Sequence, residues 1–162
     1  MTHNPAPAHR GHPAPDAGTA GPAGHYPVPV LAAAVLVAEG VSFVLVGSAA
    51  LWLHGQPVPV GDADVVIEPD GQNLRCLGQA LDWLALRPRA VPPLRAFPAL
   101  SLASVITSYG RIDCLLERGR IDWERLRQSA VRIPVADAGV LVAARAEVVA
   151  LRRRFKGVTA DG

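Results

Sequence analysis

Cysteine is scarce in this chain. Cys76 and Cys114 are the only two, and they make neither a disulfide framework nor a metal-type spacing. Reduced thiols, and with them a cytoplasmic setting, are the expectation. Charge is thin as well: 19% of residues are charged and the formal net charge is +2. That balance gives no bulk pull toward nucleic acid, although a local patch can outweigh a sum. Long apolar runs are missing. The richest, Val28 to Ala38, is stopped by Glu39 and Gly40. It is too short to cross a bilayer and reads as a buried helix, so no membrane partner is expected. The opening MTHNPAPAHR lacks the apolar h-region of a secretory signal. No internal repeat stands out. Two catalytic signatures are absent too. There is no G-x-S-x-G elbow to make Ser48 a hydrolase nucleophile. The long Gly-rich loop and Lys of a P-loop are also missing.

What remains is apolar. Half of the 162 residues are hydrophobic, which is ample material for the core of one domain. Residues 1 to 26, rich in Pro, Ala, Gly and His, hold almost no large apolar side chain. Burial there cannot offset the entropy of ordering, so a disordered tail is expected. His3, His9, His12 and His25 are spaced too irregularly for a dedicated metal site. The folded domain is expected over residues 27–157, followed by a short tail at 158–162.

Within that domain the pattern alternates. Residues 29–40 favour helix and end on Gly40. VSFVLVG, residues 41–47, reads as a buried strand. Ser48 is expected to cap a short helix over residues 49–54. Residues 62–68 read as a second strand, and Pro69-Asp70-Gly71 as a turn. Residues 73–86 carry leucines at helical spacing. RPRAVPPLRAFPAL, with four prolines, reads as irregular. SLASVIT and RIDCLLE form a hairpin around SYG. Asp122 caps a helix over 123–130, residues 131–136 are extended, and residues 143–155 are helical with a basic end. The fold class is α/β (α+β): a mixed sheet flanked by helices in one domain.

Three features carry chemistry. Gly47 and Ser48 stand where a strand meets a helix, a place where free N–H groups suit phosphate. Gly lets a ligand approach the backbone, and Ser adds a hydroxyl. Asp62 and Asp64 point to the same side of a strand, where they repel unless a cation intervenes. Mg²⁺ takes such oxygen ligands together with substrate phosphates. Asp113 lies in the apolar strand GRIDCLL, where a carboxylate needs a partner: a shared metal, water, or an Arg such as Arg111. His54 reads as a helix-end residue against the core. Trp52, Trp83 and Trp123 read as core or core-edge residues, and Cys114 as a small core residue.

The order strand, Gly-Ser, helix, Asp-x-Asp, then a single later Asp resembles the nucleotidyltransferase superfamily, whose fold is like that of DNA polymerase beta. Val46-Gly47-Ser48 is followed after thirteen residues by Asp62-Ala63-Asp64. VSFVLVGSAALWLHG is similar to the abortive-infection and toxin–antitoxin branch. The resemblance spans roughly residues 29 to 155. It implies that Asp62, Asp64 and Asp113 hold two Mg²⁺ ions and that Gly47 and Ser48 grip an NTP. Asp113 would help deprotonate an acceptor hydroxyl, which attacks the α-phosphorus and releases pyrophosphate. The acceptor would be RNA, a protein or a small molecule, with a cognate toxin or antitoxin as a further partner. Toxin-like members usually carry Thr two residues before the Asp pair, and Val60 stands there here. That difference carries the alternative, a weak or inactive module of the same fold acting through a partner protein.

Overall fold

In a computed structural model the described residues are 25–116 and 120–158. Most of the expected tail at 1–26, and residues 159–162 of the expected C-terminal tail, lie outside them. Tyr26 is described, and its ring meets Trp52 edge-on at 6.2 Å.

Helix α1 (Val28–Ala38) begins with a proline in its first turn and buries Val30, three consecutive alanines and Leu36. Small side chains on several faces let it lie close against the sheet. Strand β1 (Phe43–Val46) is buried throughout. Helix α2 (Gly47–Leu53) follows with no intervening loop. Strand β2 (Asp62–Ile67) leads to α3 (Gly71–Leu84), whose first turn is capped by the Asp70 side chain accepting from the Asn73 N–H. The proline-rich stretch folds into two 3-10 turns, Pro88–Ala90 and Leu94–Ala99. Strands β3 (Leu102–Thr107) and β4 (Gly110–Leu115) form the expected hairpin. Helix α4 (Trp123–Ser129) is capped by Asp122, as expected. Strands β5 (Val131–Val135) and β6 (Ala138–Val142) precede α5 (Arg145–Val158).

The six strands form one sheet in the order β3-β4-β2-β1-β6-β5. The β2–β4 and β1–β6 pairs are parallel, and the others are antiparallel. Strands β1 and β2 are therefore central. Register aligns Ala63 with Ile112 and Val65 with Cys114, and all four are fully buried. Helix α1 packs against β2, β4 and β6 and covers this apolar face, while α3 packs against β3. The alternate residues of the same strands, Asp62, Asp64 and Asp113, are only partly buried and project from the opposite face.

Asn73 fastens this framework. It is 6% exposed. Its Oδ1 accepts from the Ser42 N–H at 2.7 Å, and its Nδ2 donates to Ser42 O at 2.7 Å and Glu68 O at 3.0 Å. One side chain thus ties the start of α3 to the entry of β1 and the exit of β2.

One expectation needs correction, and one strand had no counterpart in the sequence pattern. Ser48 does not cap α2: the helix begins at Gly47, the N-cap position is Val46, and no side chain caps it. The positive φ of Gly47, 69°, turns the chain one residue earlier than a Ser cap would. Strand β6 was not expected. Ala-Gly-Val-Leu-Val is short and runs into Ala143-Ala144, and its strand character comes from pairing with β5 and with Leu45 of β1.

Candidate active site

The parallel β2–β4 pairing sets Asp64 opposite Asp113 and Asp62 opposite Arg111. Period-two alternation then brings all three carboxylates to one face. One oxygen from each of Asp62, Asp64 and Asp113 lies within 4.8 Å of the others. The sequence named these three residues, and the fold gathers them.

Arg111 spans the cluster. Its Nη2 is 2.5 Å from Asp62 Oδ2, and its Nε is 3.3 Å from Asp113 Oδ2. These ion pairs hold the guanidinium above its usual pKa, Asp62 contributing first. Asp113 also accepts a hydrogen bond from Ser104 Oγ at 2.6 Å. Asp64 makes no ion pair among the described residues. Burial first, then the neighbouring charges of Asp62 and Asp113, push its carboxyl from the ordinary 3.8 up to about 6, against a lowering pull from Arg111.

Gly47 and Ser48 stand beside this cluster. Together with Val46, Asp62, Asp64 and Asp113 they line a cavity of about 450 Å³. Its remaining wall comes from Leu102 and Leu115 on the sheet and from Val148, Leu151 and Arg152 on α5. Reasoning from sequence missed that wall. The basic end of α5 was visible as a run, but nothing local says which helix folds over the site.

The donor set suits a hard divalent cation. All three groups are carboxylates, close enough to share an ion. The guanidinium bound there is already a cation on two of these carboxylates, Asp62 and Asp113.

The residues set aside earlier stay outside the cavity lining. His54 Nε2 lies 2.8 Å from the Ala143 carbonyl and pins the end of α2 to the exit of β6. Burial pushes the Cys114 thiol up to about 12, so it is an inert core group. Trp123 is buried, whereas Trp83 is 70% exposed, which corrects its placement in or near the core.

No protein-family model matches the chain, and no curated protein matches it. Among solved structures it is similar to a Thermotoga maritima protein described as a "putative nucleotidyltransferase", with a TM-score of 0.56 and 15% identity over 79% of this chain and 82% of that one. The fold is nucleotidyltransferase-like. At that identity the likeness is one of fold, and the acidic cluster is an observation on this chain's own residues. No helix among the described residues is long and apolar enough to cross a membrane.

Proposed function

We propose that this chain is a Mg²⁺-dependent nucleotidyltransferase that moves an NMP from an NTP to a hydroxyl of RNA, a protein or a small molecule. The toxin–antitoxin or phage-defence setting is part of the same proposal and rests on the sequence resemblance. The observation that carries the reading is the convergence of Asp62, Asp64 and Asp113 with Gly47 and Ser48 on one cavity.

Each residue has a task its position supports. Asp62, Asp64 and Asp113 would hold the metal. Bound there, Mg²⁺ supplies charge stabilisation to the attacking and leaving oxygens. The hydroxyl of Ser48 and the free N–H groups of the first turn of α2 would face the triphosphate. Gly47, with no side chain, lets the Asp64 carboxylate sit against the first turn of α2. Arg152, which lines the same cavity, would add a cation for the phosphates. Asp113, oriented by Ser104, would take the proton of the acceptor hydroxyl. The acceptor oxygen then bonds to the α-phosphorus as the bond to pyrophosphate breaks. The protein's share is positioning and charge.

A thermal shift with Mg²⁺ and each of the four NTPs tests this, with Asp62→Asn/Asp64→Asn alongside. A ligand at a hundred times its Kd stabilises by about 2.7 kcal/mol. The expected result is a Mg²⁺-dependent shift in the wild type alone, followed by labelled transfer to an acceptor. Nucleotide binding without transfer to any acceptor would favour the inactive module. Equal behaviour of the two proteins with every NTP would overturn the reading.

A further inference from the structure

We propose that Arg111 is a tethered counter-ion that takes the place of a cation on the carboxylate cluster and gives it up when a metal arrives together with an anionic ligand. Three observations support this. The guanidinium contacts Asp62 and Asp113, two of the three carboxylates in the cluster, through separate nitrogens. A metal held by the cluster would draw on these same two carboxylates. The side chain is 50% exposed, so it can swing out without uncovering buried apolar surface. Exposed ion pairs are also individually weak.

The consequence follows from like-charge repulsion. A divalent cation on Asp62 and Asp113 cannot share that space with a guanidinium a few ångströms away. Arg111 must leave, and its departure lowers the affinity of the cluster for free metal. An anionic ligand entering with the metal gives the displaced guanidinium a new partner, and polyphosphate suits a planar fork of donors. Arg111 therefore makes the site favour a metal–polyphosphate complex over metal alone. This second half rests on the nucleotidyl-transfer reading, whereas the counter-ion role does not.

Calorimetric titration with Mn²⁺ alone, then with Mn²⁺ and ATP together, tests both halves in the wild type, Arg111→Gln and Arg111→Lys. Melting curves first establish that each variant is folded. Arg111→Gln is expected to bind free Mn²⁺ three- to tenfold more tightly, with Arg111→Lys close to the wild type because it keeps the charge. The advantage of Mn²⁺–ATP over Mn²⁺ alone is expected to shrink in Arg111→Gln. Unchanged or weaker Mn²⁺ binding by Arg111→Gln would overturn the counter-ion role, as would equal tightening in Arg111→Lys. Mn²⁺ binding by none of the three proteins would overturn it together with the metal site. Tighter Mn²⁺ binding with no ATP response in any protein would overturn the nucleotidyl-transfer reading and leave the counter-ion role standing.

Discussion

A Cβ on Gly47 would stand 2.1 Å from Oδ2 of Asp64. The first residue of α2 and the central carboxylate of β2 are thus packed so closely that only glycine fits between them. The φ of Gly47 is also 69°, a region other residues enter with strain. Gly55 supplies the control, because its φ is 83° but nothing lies within 4 Å of a Cβ there. Gly55→Ala should cost about 1 kcal/mol from backbone strain alone. Gly47→Ala should cost more and should also displace the Asp64 carboxylate. Urea denaturation compares the two stabilities, and a Mn²⁺ titration reads the displacement. Equal effects of the two substitutions on both would mean that the close approach has no consequence.

Removing the charge of Asp64 should act in opposite directions on stability and on binding. The carboxyl is partly buried between two other carboxylates and makes no ion pair among the described residues, which pushes its pKa up. Asp64→Asn keeps the shape and removes the repulsion. The metal-free variant should therefore melt higher than the wild type at pH 7.5, while its response to Mg²⁺ and NTP disappears. A variant that melts lower would show that Asp64 holds the fold rather than burdening it.

The same carboxyl sets a pH dependence whose sign can be worked out. The unfolded group titrates near 3.8 and the folded group near 6. Between these values the folded chain keeps a proton that the unfolded chain has released, so stability falls as pH rises. The contribution is full below about pH 4 and is lost through about pH 6. It is worth on the order of 3 kcal/mol at most. Metal binding needs the ionised form, so the Mg²⁺-induced stabilisation should grow over the same window. Melting curves from pH 4 to pH 8, with and without Mg²⁺, check both slopes. In Asp64→Asn the metal-free slope should flatten.

Asn73 separates the framework from the site. Truncation to Ala removes the acceptor of the Ser42 N–H and the Asn73 donor to the Glu68 carbonyl, while the Ser42 carbonyl keeps only the Glu68 N–H at 3.2 Å. The expected loss is about 2–4 kcal/mol in denaturant unfolding. Metal affinity of the fraction that remains folded should be unchanged, because Asn73 does not line the cavity. A loss of affinity matching that of an aspartate variant would mean that α3 helps shape the site.

The acidic cluster was legible because its signals are local. Asp62 and Asp64 share a face by strand alternation alone, and the apolar neighbours of Asp113 mark β4. The α/β class and the β3–β4 hairpin were legible for the same reason. Strand β6 was not: Leu45 pairs with Val142 across most of the domain, and no window of sequence holds that contact. Ser48 misled because a capping residue is read from its type, whereas a glycine at positive φ had already started the helix. The α5 wall depended on tertiary packing, which the run Arg152-Arg153-Arg154 does not encode. Arg111 was named as one possible partner of Asp113, and its reach to Asp62 came from the β2–β4 register.

Arg152 is the place where that unread wall can be tested. Its side chain is exposed and lines the same cavity as the carboxylates. Among the described residues it makes no hydrogen bond or ion pair, so Arg152→Ala should change stability by less than about 0.5 kcal/mol. With a triphosphate in the cavity it would lose a charge-assisted contact. Such a contact is worth roughly 1.5–3 kcal/mol, which corresponds to about a tenfold or larger rise in the Kd for Mg²⁺–NTP. Free Mn²⁺ affinity should stay level, because Arg152 makes no ion pair with the cluster among the described residues. Titrating NTP and Mn²⁺ separately into the same variant distinguishes a phosphate role from a general electrostatic one. A uniform change in both would assign Arg152 to the background field of the basic helix end, and a nucleotide-specific loss would assign it to the phosphates.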